Sequence, residues 1–153
     1  MGYYVSGYSE DFRLKAGQDK AIMDQMRELN KRDDLKQGGS YGPNGAREYW
    51  FSWMNNADFD TNDIANFLEA VGFDYEKDEN GDIIHLSYDS KTGQEDLFFA
   101  VMAPFIEDGS MIEWRGEDDE RWMWKFEGGK MFIVTPVIDW NGGHKEEFTI
   151  PAE

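Results

Sequence analysis

Thirty-two carboxylates, two imidazoles and six indoles are the side chains of this 153-residue sequence that could do chemistry. Cysteine is absent, which removes thiolate nucleophiles, thiolate metal sites and disulfides together. General acid–base work needs one carboxyl group whose pKa is pushed away from its neighbour's. So many acids select no such pair, although Asp96, Glu113 and Glu117 could line a cleft. His85 falls inside a strand-like run and His144 in a glycine turn, and neither has a second ligand at His-x-Glu or His-x-x-x-His spacing. The run 74–82 has the offsets of a calcium loop at Asp78, Asn80 and Gly81. Setting Gly81 at the sixth position, however, puts Ser87 at the twelfth, where calcium needs a bidentate Glu. The glycines of residues 33–46 lack the Lys-Ser/Thr of a phosphate-binding loop. The expectation is a non-enzymatic protein with no catalytic residues, no metal and no cofactor.

Bulk charge is the remaining signal. The formal net charge is −17, and it is unevenly placed. Residues 1–50 balance eight acids against eight bases, whereas residues 51–153 hold 24 acids and seven bases. Such a field repels nucleic acid and anionic lipid and attracts basic protein surfaces. Direct nucleic-acid binding is therefore not expected. Tryptophan anchors interfaces and acids steer a basic partner, so Trp114 and Trp122 are expected beside the charges that dock. The expected partner-binding set is Glu107, Asp108, Glu113, Trp114, Glu117, Asp118, Asp119, Glu120 and Trp122, joined by Asp74, Glu76, Asp78, Glu79 and Asp82. These acids are expected on one face. No apolar run approaches the ~20 residues of a membrane span, and the start lacks a signal pattern, so a soluble cytoplasmic protein is expected.

The elements that must position these groups follow from hydrophobic spacing. Trp122, Trp124 and Phe126 alternate along one strand of a meander over 111–140, with Ile112 and Trp114 as facing partners and turns at Gly116–Glu120 and Glu127–Lys130. Ile22, Met26 and Leu29 predict a helix over Gln18–Asn30. Ile64, Phe67, Leu68 and Val71 predict a second, capped by Asp60 or Thr61 and ended by Gly72. Thr92-Gly93-Gln94-Glu95 reads as a capping box for a third, which Pro104 ends or bends. Residues 2–14 suit a first strand, and Glu48–Met54 a short aromatic one. Asn80-Gly81 suits a type I′ hairpin turn, 33–46 a glycine-rich mobile loop, and Glu146–Ile150 a last strand after the turn Asn141-Gly142-Gly143. The order predicts one α+β domain over 1–153, mostly antiparallel sheet with about three helices packed on one face.

Met1-Gly2-Tyr3-Tyr4, a first helix ending in Arg-Glu-Leu, a Trp-rich middle and the pattern Gly116-Glu117-Asp118…Trp122…Phe126…Gly129-Lys130 resemble small acidic hypothetical proteins of phages and bacterial mobile elements. The resemblance implies a phage-encoded accessory protein and carries over no catalytic residues. In charge and size the chain also resembles DNA-mimic inhibitors of restriction and CRISPR systems. The expected function is an acidic binding protein that blocks a nucleic-acid-binding host protein by polyanion mimicry, in the host cytoplasm. Two alternatives stay open. One is an accessory or structural domain whose acidity only supports solubility. The other is a carboxylate-based metal-binding protein or hydrolase.

Overall fold

In chain order the strands are β1 (Tyr4–Leu14), β2 (Gly38–Tyr41), β3 (Arg47–Trp50), β4 (Phe73–Lys77), β5 (Ile83–Lys91), β6 (Met111–Gly116), β7 (Arg121–Glu127) and β8 (Lys130–Val134). The helices are α1 (Asp19–Asn30), α2 (Ile64–Val71) and α3 (Glu95–Met102). The computed structural model describes residues 2–43, 45 and 47–152. Six antiparallel strands stand in the order β4-β5-β1-β6-β7-β8, and β2 pairs with β3 in a separate two-stranded sheet. The helices pack on one face of the large sheet, and the other face, with Ser6, Tyr8, Glu113 and Arg115 exposed, is bare among the described residues. This is an α+β fold, mostly antiparallel.

Alternation sets the two faces. β1 buries Val5, Phe12 and Leu14, while Tyr4, Ser6, Tyr8 and Glu10 point outward. Ile112 and Trp114 of β6 face Trp124 and Trp122 of β7 across the register, as the meander predicts. Adjacent phenylalanines of α3 divide the core between them. Phe98 meets the rings of Phe51, Phe59 and Phe67 at 5.4, 5.9 and 5.3 Å, and Phe99 meets Phe73 and Trp124 of the sheet at 4.9 and 5.3 Å. Edge-on and tilted ring packing of this kind adds to area burial.

Several local expectations are corrected. The glycine-rich segment is not a continuous loop, because Gly38 and Gly39 open β2, although positions 44 and 46 lie outside the described residues. A side chain at Gly38 would collide with the Trp50 indole, so the strand needs glycine there for closeness. The aromatic strand ends at Trp50, and residues 52–59 turn into a 3₁₀ segment capped by an Asn55–Asp58 box. Between β4 and β5 only Gly81 has positive φ (82°), so the turn is not type I′. Asp78 O accepts from Gly81 N–H, and Asp82 O accepts from Asp78 N–H, which makes a three-residue loop with a left-handed glycine.

Asp63 rather than Asp60 or Thr61 caps α2, its side chain accepting from Ala65 N–H at 2.9 Å. α3 starts after Gln94 rather than Thr92. Its buried Glu95 accepts from Gly93 N–H at 2.7 Å and from the Thr92 hydroxyl. Gln94 accepts from Gln37 and Ser52 N–H and donates to Leu35 O, tying the small sheet to α3. The expected strand Glu146–Ile150 is absent, and residues 135–152 contain no strand or helix. No helix among the described residues is long and apolar enough to cross a membrane.

Candidate functional site: an acidic cleft at a double bulge

The sheet is irregular at one place, and a cleft opens there. Between matched partners the chain takes one step on β4 (Tyr75 to Glu76), two on β5 (Leu86 to Ile84) and four on β1 (Ser9 to Arg13). Surplus residues on successive strands bend and twist the sheet, and such bulges re-aim side chains outward. Here they are Glu10 and Asp11 of β1 and His85 of β5, whose φ of 54° is left-handed. With Arg13, Glu107 and Asp108 they line a cleft of about 320 Å³.

The electrostatics centre on Arg13. Its Nη1 donates to Asp78 Oδ2 and Asp82 Oδ2, both at 2.7 Å, and its Nε lies 3.4 Å from Glu107 Oε2. The hydrogen bond from Arg13 holds the Asp78 carboxyl below the usual carboxylate range, and the same bond raises Arg13. Asp78 Oδ1 also accepts from Asn80 and Asp82 N–H, so this carboxylate shapes the β4–β5 turn. On the rim the Tyr8 hydroxyl donates to Glu10 at 2.6 Å, which raises the tyrosine pKa. Asp108 accepts from Gly128 N–H at 2.9 Å, and His85 Nδ1 meets Glu76 at 2.7 Å. Glu10, Asp11 and Asp108 make no ion pair among the described residues. Three carboxylates of the cleft are thus left without a local counter-charge among the described residues, beside one guanidinium that has three. No group of three or more His, Asp or Glu among the described residues could hold a metal ion.

The acids expected to share one face are divided between the two ends of the strands. Antiparallel pairing puts the β6–β7 turn at the Tyr4 end of β1 and the β4–β5 turn at the Leu14 end. Eleven residues of β1 separate them, roughly 30 Å at the rise of a strand. Glu76, Asp78, Glu79, Asp82, Glu107 and Asp108 gather at the Leu14 end, where Glu10 and Asp11 join them. Glu117, Asp118, Asp119 and Glu120 stand at the other. There Glu117 accepts from Tyr4 N–H at 3.2 Å, Glu120 accepts from the Tyr3 hydroxyl, and Asp119 pairs with Arg115 at 3.1 Å. Asp74 and Glu113 lie between, on the bare face.

Trp114 is corrected as well. It is 2% exposed, packed among Phe73, Tyr88 and Trp124, and cannot serve as a surface anchor. Trp122 is half-buried and stacks on it, ring planes 8° apart. Trp114 of β6 and Trp122 of β7 are paired across the strands on the inward face, which is why they turn away from the acids beside them in sequence. Glu10, Asp11 and Arg13 were not singled out from sequence, and His85 was weighed only as a metal ligand. The signal was present: Glu10-Asp11 is the adjacent outward pair that breaks the alternation of β1.

Fold and cleft together define a half-covered antiparallel sheet with an acidic pocket at one pole. No protein-family model matches the chain, and comparisons with curated proteins and with solved structures gave no match.

Proposed function

We propose that this chain is a non-enzymatic binding protein whose acidic pole docks on a basic, nucleic-acid-binding protein surface and competes there with the polyanion. Its specific form is a phage-encoded inhibitor of a host defence protein such as a restriction or CRISPR component. The observation that carries the reading is the cleft itself. Glu10, Asp11, Glu107 and Asp108 line it, and Arg13 beside them is already shared by three carboxylates, the arrangement an incoming Arg or Lys would meet. The pole at the Leu14 end is the docking end. Glu117 to Glu120 steer from a distance.

The test is displacement of labelled duplex DNA from a panel of restriction and CRISPR nucleases. Release is expected at low salt and should fade as ionic strength passes about 0.1 M, where charges are screened over ~10 Å. Reversing Glu10, Asp11, Glu107 and Asp108 to Lys should abolish release, while reversing Glu117–Glu120 should only slow association. Release from none of the nucleases, or release indifferent to salt and to both reversals, refutes mimicry. One observation favours the solubility reading. Acids on α1 and just after it pair locally, as Lys20–Asp24, Arg27–Asp24 and Lys31–Glu28 do, so part of the charge is only solvated surface.

A further inference from the structure

Two features toward the β8 border of the sheet have no role in that reading, and each lacks what the other offers. The first is residues 135–152, an arm whose large apolar side chains meet water: Val137 is 90% exposed, Trp140 87%, Phe148 92% and Ile150 91%. The second is the β8 border. β8 is the last strand of the sheet, so one edge of its backbone is unpaired, and Phe132, Ile133 and Val134 are all exposed. Beside it the bare face carries a groove of about 440 Å³ in which Tyr8, Met123, Val134 and Pro136 meet Arg115 and Arg121.

Charge matches the two. Arg115, Arg121, Lys125 and Lys130 border the groove and the edge, four of the seven bases after residue 50. Asp119 and Glu127 already pair with Arg115 and Lys125, and Glu113 also lines the groove, so Arg121 is the base that the arm would meet. Arg115 and Arg121 are direct cross-strand neighbours, a like-charge pair that repels. Arg121 has no carboxylate partner among the described residues. The arm brings Asp139, Glu146 and Glu147 between its apolar residues.

We propose that two copies of this chain exchange their arms, residues 137–150 of each adding along the free β8 edge and into the groove of the other. Pro136 argues for exchange over refolding onto the same copy. It comes two residues after β8, where a type I′ turn would need positive φ that proline cannot adopt, and a type II′ turn would need positive φ at Thr135, a β-branched residue. It also sits in the groove, so the arm leaves across the bare face rather than back along its own edge. Each copy carries one donor arm and one acceptor edge, so mutual exchange closes as a two-fold dimer. The apolar and backbone contacts drive it against the repulsion of two bodies of charge −17. Salt screens that repulsion, so the dimer should strengthen as ionic strength rises, opposite to the docking proposed above, and the two proposals can fail separately.

Sedimentation equilibrium of the full chain over a wide protein concentration, at low and high salt, reads this directly. The expected result is reversible dimer of twice 17.8 kDa, increasing with salt. The double variant Phe148→Asp/Ile150→Asp should be monomeric at every concentration, with the circular dichroism and thermal unfolding of the dilute, monomeric wild type, because both residues lie outside the folded core. Arg121→Glu should weaken the dimer about tenfold, and Glu146→Lys/Glu147→Lys should restore it in that background. A chain monomeric at every concentration and salt overturns the proposal, including one whose arm resists protease because it folds back in the same copy. So does a dimer untouched by the Phe148/Ile150 change.

Discussion

Trp114→Ala tests the central packing claim. The indole is 2% exposed, with the rings of Trp124, Tyr88, Phe73 and Trp122 at 4.7, 5.6, 6.0 and 6.3 Å. Truncating a buried Trp costs about 3–5 kcal/mol in lost transfer energy and cavity. Whole domains are stable by only about 5–15 kcal/mol. In a chain of this size each kcal/mol lowers Tm by roughly 2–4 °C, so a fall of roughly 6–20 °C is expected. Urea denaturation followed by circular dichroism, with calorimetry, measures both. The Trp114 Nε1–H finds no acceptor among the described residues, and an orphaned buried donor costs about 1–3 kcal/mol. Trp114→Phe removes that donor while keeping an aromatic ring. It should therefore lose less than about 2 kcal/mol, well under the alanine variant. Trp122→Ala, at a half-buried site, should fall between wild type and Trp114→Ala. If Trp114→Ala stays within about 1 kcal/mol of wild type, or Trp122→Ala proves the more damaging, the core is wrongly centred.

Stability should fall on the acid side for a reason the ion pairs define. Asp78 is held below its ordinary pKa first by its hydrogen bond from Arg13, and Asp24 and Asp34 are lowered in the same way by Lys20 with Arg27 and by Arg32. Groups depressed on folding stabilise above the unfolded carboxylate value, about 3.9, and that contribution is lost as pH falls through the folded value. Arg13→Met should move the acid-unfolding midpoint to higher pH, read by circular dichroism; an unmoved midpoint would remove Arg13 from the account. Burial, with the Glu95 charge second, pushes the Tyr88 hydroxyl up to about 12, so in an ultraviolet titration of the seven tyrosines it should ionise among the last, and Tyr88→Phe should remove that final step.

Long-period pattern was legible and local geometry was less so. The three amphipathic helices and the Trp122–Trp124–Phe126 strand follow from spacing alone, because burial enforces periodicity along a whole element. Caps depend on which of several eligible side chains reaches a backbone N–H, and spacing does not choose among Asp60, Thr61 and Asp63. Gly38 looked like a loop residue because its need is contact with Trp50, 12 positions away in sequence. Glu107, Asp108 and the acids of the β4–β5 turn were found, but Glu10 and Asp11 were not, and neither was the grouping. Whether two turns meet depends on which end of the sheet each occupies, and that follows from strand order, which composition does not encode. Trp114 misled for a related reason: its neighbours in sequence are charged, whereas its neighbours in space are rings.

The bulge in β1 bears on which changes the strand can absorb. Ser9, Phe12 and Leu14 would still alternate inward if the strand were one residue shorter there, since Glu10 and Asp11 occupy the place of a single outward residue. The interior therefore has no use for the surplus residue, and selection on packing alone would not retain it. Losing Asp11 should be survivable for the fold and ruinous for the pocket. An added residue near Ser6, where alternation is strict, would turn Val5 and Tyr4 inside out instead. Length variation in this strand thus separates what the protein needs in order to stand from what the proposed docking needs.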